Sequence, residues 1–190
     1  MAANLNRNWY VTDPKAGVDL NSTETISVTT NPEVPGPRQA IGTRVQGNND
    51  SVWMFVKASA TVTAGNLVAI DAAGNAADAS EALLASLAYT IGAAQFGPGG
   101  IFSTLTQSVA APGDYFWAAL EASGGLQINS TGSTLRATQL YISGSIPGTV
   151  TTSVSTVAIK HMYANTTFAP TGSNSTTDFA TFGGTIKVSV

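Results

Sequence analysis

Ser51-Val52-Trp53-Met54-Phe55-Val56-Lys57-Ala58-Ser59-Ala60-Thr61-Val62 is the stretch whose reading decides the fold, together with the Thr63-Ala64-Gly65-Asn66-Leu67-Val68-Ala69-Ile70-Asp71-Ala72-Ala73-Gly74-Asn75 that follows it. The first run is rich in β-branched and aromatic residues and begins after the turn-forming Asn48-Asn49-Asp50. Thr63–Asn66 and Asp71–Asn75 are turn sequences. Gly adopts positive φ without a steric penalty, and Asx side chains bond the local backbone. Leu67–Ile70 is too short for a helix and sits between two turns, so residues 67–78 read as a hairpin.

Outward from this centre the same grammar repeats. Ala111-Pro112-Gly113-Asp114 is a turn with Pro at its second position and Gly at its third. It opens the apolar run Tyr115-Phe116-Trp117-Ala118-Ala119-Leu120, and Ser123-Gly124-Gly125 then predicts a hairpin to Leu126-Gln127-Ile128. Ala64-Gly65-Asn66 before one strand echoes Pro112-Gly113-Asp114 before the other. Further strands are expected at Ile101–Thr106, Leu135–Ser143, Thr149–Met162 (with a break) and Thr185–Val190, with turns at Pro147-Gly148, Pro170–Ser173 and Gly183-Gly184. Asp78-Ala79-Ser80-Glu81 has the spacing of a capping box, Asp at the cap and Glu three residues on, and predicts a short helix over 81–88. Many short strands with turns between them predict an all-β fold: a small β-barrel or a sandwich, jelly-roll topologies included.

Residues 1–40 predict an extended N-terminal arm, and residues 41–190 a β-rich domain. Pro14, Pro32, Pro35 and Pro37 exclude long helices from the arm, and Thr25–Thr29 alternates like a strand. Trp9 and Tyr10 are large apolar anchors in a polar segment. They either pack back on the barrel or dock on a neighbour, which makes them the candidate partner-binding residues.

Composition excludes several functions. Charged residues are 10% of the chain, against about 25% in ordinary domains, while mean hydropathy is +0.14. Polarity is carried by Ser, Thr, Asn and Gly, and a weakly charged surface repels neighbours little. Residues 1–81 hold thirteen of the nineteen charged residues, so the second part must bury itself or present an uncharged face. A net charge of −3 with eight scattered Lys and Arg gives no basic footprint for nucleic acid. The uncharged stretch Ala82–Phe96 is fifteen residues long, short of the roughly 20 of a spanning helix, and no apolar leader opens the chain. A soluble protein without nucleic-acid or membrane partners is expected.

Catalytic equipment is sparse. There is no Cys, and His161 is the one base available to a triad, with no Gly-x-Ser-x-Gly elbow to serve it. Asp71, Asp78, Glu81, Asp114 and Glu121 are the acids to consider as a carboxylate pair. The first, second and fourth of these sit at turns. Asp71–Asp78 lacks the alternating oxygen ligands of an EF-hand loop and reads as a hairpin turn. Gly97-Pro98-Gly99-Gly100 lacks the Lys-Ser/Thr of a phosphate-binding loop. The Asn-x-Ser/Thr matches at Asn21, Asn129, Asn165 and Asn174 are what a Ser/Thr-rich chain produces by chance. The expectation is a non-enzyme without cofactor or metal.

The stretches Val56–Asp71 and Ala111–Trp117 resemble the small β-barrel head decoration, or cement, proteins of tailed phages, in which a small-Gly-Asx-apolar turn recurs. The resemblance spans about residues 50–145. It implies a virion structural protein on the capsid exterior, made in the host cytoplasm and binding the major capsid protein as a homo-oligomer, a trimer above all. A tail-fibre or adhesin-type receptor-binding module is the alternative.

Overall fold

The structure is a computed structural model that describes residues 10–12, 18–21, 23–24, 36–48, 50–84, 89–96, 109–122, 126–131, 138–153, 158–163 and 179–182. Within them the strands are β1 Thr23–Glu24, β2 Arg44–Gly47, β3 Ser51–Ala58, β4 Val62–Thr63, β5 Leu67–Ile70, β6 Asn75–Asp78, β7 Thr90–Ala94, β8 Val109–Ala110, β9 Tyr115–Glu121, β10 Leu126–Asn129, β11 Gln139–Ile142, β12 Val150–Thr151, β13 Ala158–Tyr163 and β14 Phe179–Phe182. One helix, α1, covers Glu81–Leu84.

The fold is a closed five-stranded β-barrel with extra strands around it. β3 pairs with β9, β9 with β7, β7 with β5 and β5 with β6, all antiparallel. The parallel pair of β6 with β3, Lys57↔Asn75 and Ala58↔Ala76, closes the ring. β2 continues on the same edge of β3 where β6 leaves it, and β1 does the same on β9 beyond β7. Closure removes the free edges that otherwise invite aggregation.

Two apolar clusters explain why β3 reads as a near-unbroken apolar run. Met54, Val56, Val68, Ile70, Ala76, Phe116, Ala118 and Leu120 form one cluster with β4 and β8, and this cluster fills the barrel. Trp53, Phe55, Leu67, Ile91 and Trp117 point the opposite way. They are covered from outside by Leu20, Val45, Leu84, Ile128, Ile142 and Val150. Both faces of β3, β5 and β9 are therefore buried. The interior is tight at Gly92, where a Cβ would lie 3.1 Å from both the Ala118 Cβ and the Ile70 Cδ1.

Three strands are launched by one device. In Ala40–Thr43, Thr63–Asn66 and Ala111–Asp114 the fourth N–H bonds the first carbonyl at 3.0, 3.1 and 3.0 Å. The third residue is Gly at φ +84, +81 and +96°, the positive φ that a type II turn needs. Each Gly N–H donates to a residue on a neighbouring strand: Phe55, Ala94 and Ala58. The N–H of that same residue donates back to the carbonyl of the fourth turn residue. The echo between residues 64–66 and 112–114 is thus a reused strand-entry turn. Ile41-Gly42-Thr43 supplies a third instance without an Asx residue.

Two expectations are corrected. The hairpin across Ser123–Gly125 does not form between β9 and β10. Both edges of β9 are taken by β3 and β7, so β10 pairs with β14 instead. The helix is capped by Ser80, whose hydroxyl accepts the Leu83 N–H at 3.2 Å, while Asp78 ends β6 and turns into a polar junction. The expected strands Thr25–Thr29, Ile101–Thr106 and Thr185–Val190, and the turns at Pro170–Ser173 and Gly183-Gly184, lie outside the described residues. β14 falls where the sequence pattern predicts no strand.

Candidate partner-binding site

Tyr10, Val11 and Thr12 run antiparallel along the outer edge of β2, joined to it by one isolated bridge and flanking backbone bonds. Val11 bridges Gly47, and the Thr12 N–H donates to the Gln46 carbonyl at 3.0 Å. Asn48 grips Tyr10 from both sides. Its Oδ1 accepts the Tyr10 N–H at 3.1 Å, and its own N–H donates to the Tyr10 carbonyl at 3.0 Å. Backbone pairing of this kind is indifferent to side chains, so it leaves the Tyr10 ring unused. Tyr10 is 61% exposed, the most exposed large hydrophobic residue among the described residues. Val11 faces the other way and packs on the outer cluster.

The β2 edge is shaped for this. The Trp53 indole N–H donates to Ser51 Oγ at 2.7 Å, and the Ser51 hydroxyl donates to the Asn48 carbonyl at 2.7 Å. A Cβ at Gly47 would lie 2.5 Å from Ser51 Oγ and 2.7 Å from Trp53 Nε1. Gly47 therefore lets the indole close under the strand that receives the arm.

Further along the arm, Leu20 is fully buried in the outer cluster, and β1 pairs with Tyr115 and Phe116. Glu24 accepts the Arg38 N–H at 3.1 Å. These parts of residues 1–40 lie on the barrel. Trp9, the other candidate, lies outside the described residues. Asn48, which positions Tyr10, carries in the sequence only the signal of a turn residue. Its place opposite Tyr10 depends on a pairing 38 residues apart, which leaves no local signal.

The candidate acids are dispersed. Asp71 ties the β5–β6 turn: its Oδ1 accepts from Ala73 and Asn75 backbone N–H groups, and its Oδ2 from the Asn75 amide at 2.9 Å. The Asn75 side-chain bond chiefly holds its carboxyl below the ordinary value. Asp114 Oδ2 accepts the Ala111 N–H at 2.8 Å and locks its own turn. Glu81 opens α1, and Glu121 ends β9. His161 lies on β13. Among the described residues no three of His, Asp and Glu gather to hold a metal ion, and no helix is long and apolar enough to cross a membrane.

Asp78 belongs to a buried polar junction that the sequence did not announce. Asn66 Nδ2 donates to Asp78 Oδ2 at 2.7 Å, and Asn129 Nδ2 donates to Asn66 Oδ1 at 2.8 Å and to the Ala64 carbonyl at 3.0 Å. Asp78 Oδ1 is buried and accepts no hydrogen bond. Burial pushes the Asp78 carboxyl up to about 6, against the opposing pull of the Asn66 amide and the Thr63 N–H. The junction joins β5, β6, β10 and the Pro147-Gly148 turn.

No protein-family model, no curated protein and no solved structure matches the chain.

Proposed function

We propose that this chain is a virion structural protein, a capsid decoration or cement protein that binds the outer surface of an icosahedral phage head and stabilises it. The observation that carries the reading is Tyr10: its backbone is clamped to Asn48 while its ring stands out in solvent. An aromatic side chain on a backbone already held in place loses less entropy on docking, and such residues dominate protein interfaces. The filled barrel supports the same reading, since its interior is occupied by its own side chains. So does the low charge, which permits many copies to sit close together. A ligand that binds only the mature shell stabilises that shell by mass action, and many copies add multivalency.

The test is binding of labelled protein to purified expanded heads, with sedimentation of the free protein. The expected result is coating of the heads and a trimeric species. Labelling of tail tips without heads supports the tail-fibre or adhesin reading instead. A monomer that leaves expanded heads bare ends the decoration reading.

A further inference from the structure

Three parts of the fold meet the end of β6 at Asp78. The Thr63–Asn66 turn brings Asn66, β10 brings Asn129, and the loop before β12 brings Pro147 and Gly148. The junction is also sewn by main-chain bonds of 2.7 Å: Leu67 N–H to the Gly148 carbonyl, Gly148 N–H to the Ala79 carbonyl, and Asn129 N–H to the Gly65 carbonyl. These bonds fasten β10 and the Ser143–Thr149 loop to the barrel. Packing is close, for a Cβ at Gly148 would fall 2.5 Å from Asn66 Nδ2. One atom is out of keeping. Asp78 Oδ1 is buried without a hydrogen bond, and a buried unpaired charge is costly.

We propose that Asp78 is an acid-tightened latch, the group through which proton uptake strengthens the docking of β10 and the Ser143–Thr149 loop on the barrel. The ionised carboxylate leaves Oδ1 unsatisfied, so the closed junction disfavours the charge. An opened junction lets water reach that oxygen, and the charge is then tolerated. Protonation removes the charge and with it the incentive to open. The raised Asp78 carboxyl agrees with this direction. Among the described residues Thr63, Asn66, Asn129, Pro147 and Val68 face it from the turn, β10, the loop and β5, and none of these five is titratable. The other carboxylate near the loop is Glu81, whose Oε2 would lie 3.3 Å from a Cβ at Gly144. The latch is independent of the capsid reading.

Hydrogen exchange of the Leu67, Asn129 and Gly148 amides in the full chain, corrected for intrinsic rates, reports the opening. Between pH 4.5 and 8 the opening constant is expected to rise about tenfold, with its midpoint near 6. Asp78→Asn is expected to flatten this dependence, and Glu81→Gln to keep it. An unchanged dependence in Asp78→Asn, or its loss in Glu81→Gln, overturns the proposal. Should Asp78→Asn fail to fold, carbonyl-carbon NMR of the wild-type chain decides. A shared midpoint for Asp78 titration and opening supports the latch, and titration of Asp78 in the ordinary range near 4 sinks it.

Discussion

Gly148 stands against Asn66 with no room for a side chain between them: a Cβ there would lie 2.5 Å from Nδ2, 2.6 Å from Cγ and 2.7 Å from Cβ of Asn66. Its φ of +78° adds a backbone constraint of its own. Gly113 has the constraint without the contact, since at φ +96° nothing lies within 4 Å of its missing Cβ. The two sites separate strain from packing. Gly113→Ala is expected to cost about 1–2 kcal/mol from backbone conformation alone. Gly148→Ala carries that penalty plus about 1–3 kcal/mol of overpacking. Urea denaturation of both variants checks the order, and equal losses would show that Asn66 yields freely.

Gly47→Ala tests packing without strain, because Gly47 is an ordinary β residue of β2. The new methyl must displace Ser51 Oγ or the Trp53 indole, which are hydrogen-bonded to each other. A loss of about 1–3 kcal/mol is expected, with a change in tryptophan fluorescence as the indole leaves its bonded position. Unchanged fluorescence and stability would mean that the β2 edge is looser than its geometry.

How far the sequence reveals this molecule depends on how local each determinant is. β3, β5 and β9 were legible because each is an apolar run that follows a turn whose residue types act over four positions. The partners of those strands were not legible. That β9 is filled on both edges, and that β6 meets β3 in parallel, depend on residues far apart in the chain. Asp78 illustrates the same limit at one residue. Its spacing to Glu81 satisfies a capping box, yet Ser80 takes the cap, because Asp78 is drawn to Asn66 across the barrel end. Tyr10 stands out by its residue type, whereas Asn48, which holds its backbone, carries no local signal.

Ser80→Ala therefore removes the cap and Asp78→Ala does not. Loss of the Ser80 Oγ bond to the Leu83 N–H is expected to cost about 1 kcal/mol, read as a lower denaturation midpoint. Ser80→Asp, which restores an acceptor, is expected to recover most of it. Failure of that rescue would remove capping as the reason for the loss.

Tyr10→Ala separates binding from folding. The ring is mostly in solvent, so stability is expected to change by no more than about 0.5 kcal/mol. Affinity for the partner surface is expected to fall at least tenfold, as for an aromatic interface anchor. Asn48→Ala should weaken the same binding indirectly, by releasing the backbone that Tyr10 depends on. Normal head binding by Tyr10→Ala would remove this residue from the interface.

Asp71 and Asp78 close opposite ends of the β5–β6 hairpin and respond oppositely to pH. The Asp71 carboxyl is held below its ordinary value of 3.8, mainly by the Asn75 amide, so the native state favours its charge. Its contribution is present above that value and is lost as pH falls through the lowered one. The Asp78 carboxyl is raised from 3.8 to about 6 by burial, so the native state favours its proton. Its contribution is complete below 3.8 and is lost as pH rises through about 6, with no further change above. Urea midpoints of wild type, Asp71→Asn and Asp78→Asn from pH 3 to 8 resolve the two. Relative to Asp78→Asn, the wild type should weaken between about pH 4 and 6 and then run parallel. Relative to Asp71→Asn, it should run parallel above pH 5 and weaken only in more acid solution. A wild type that gains on Asp78→Asn as pH rises would reverse the sign, and would mean that the Asn66 amide outweighs the burial of Oδ1.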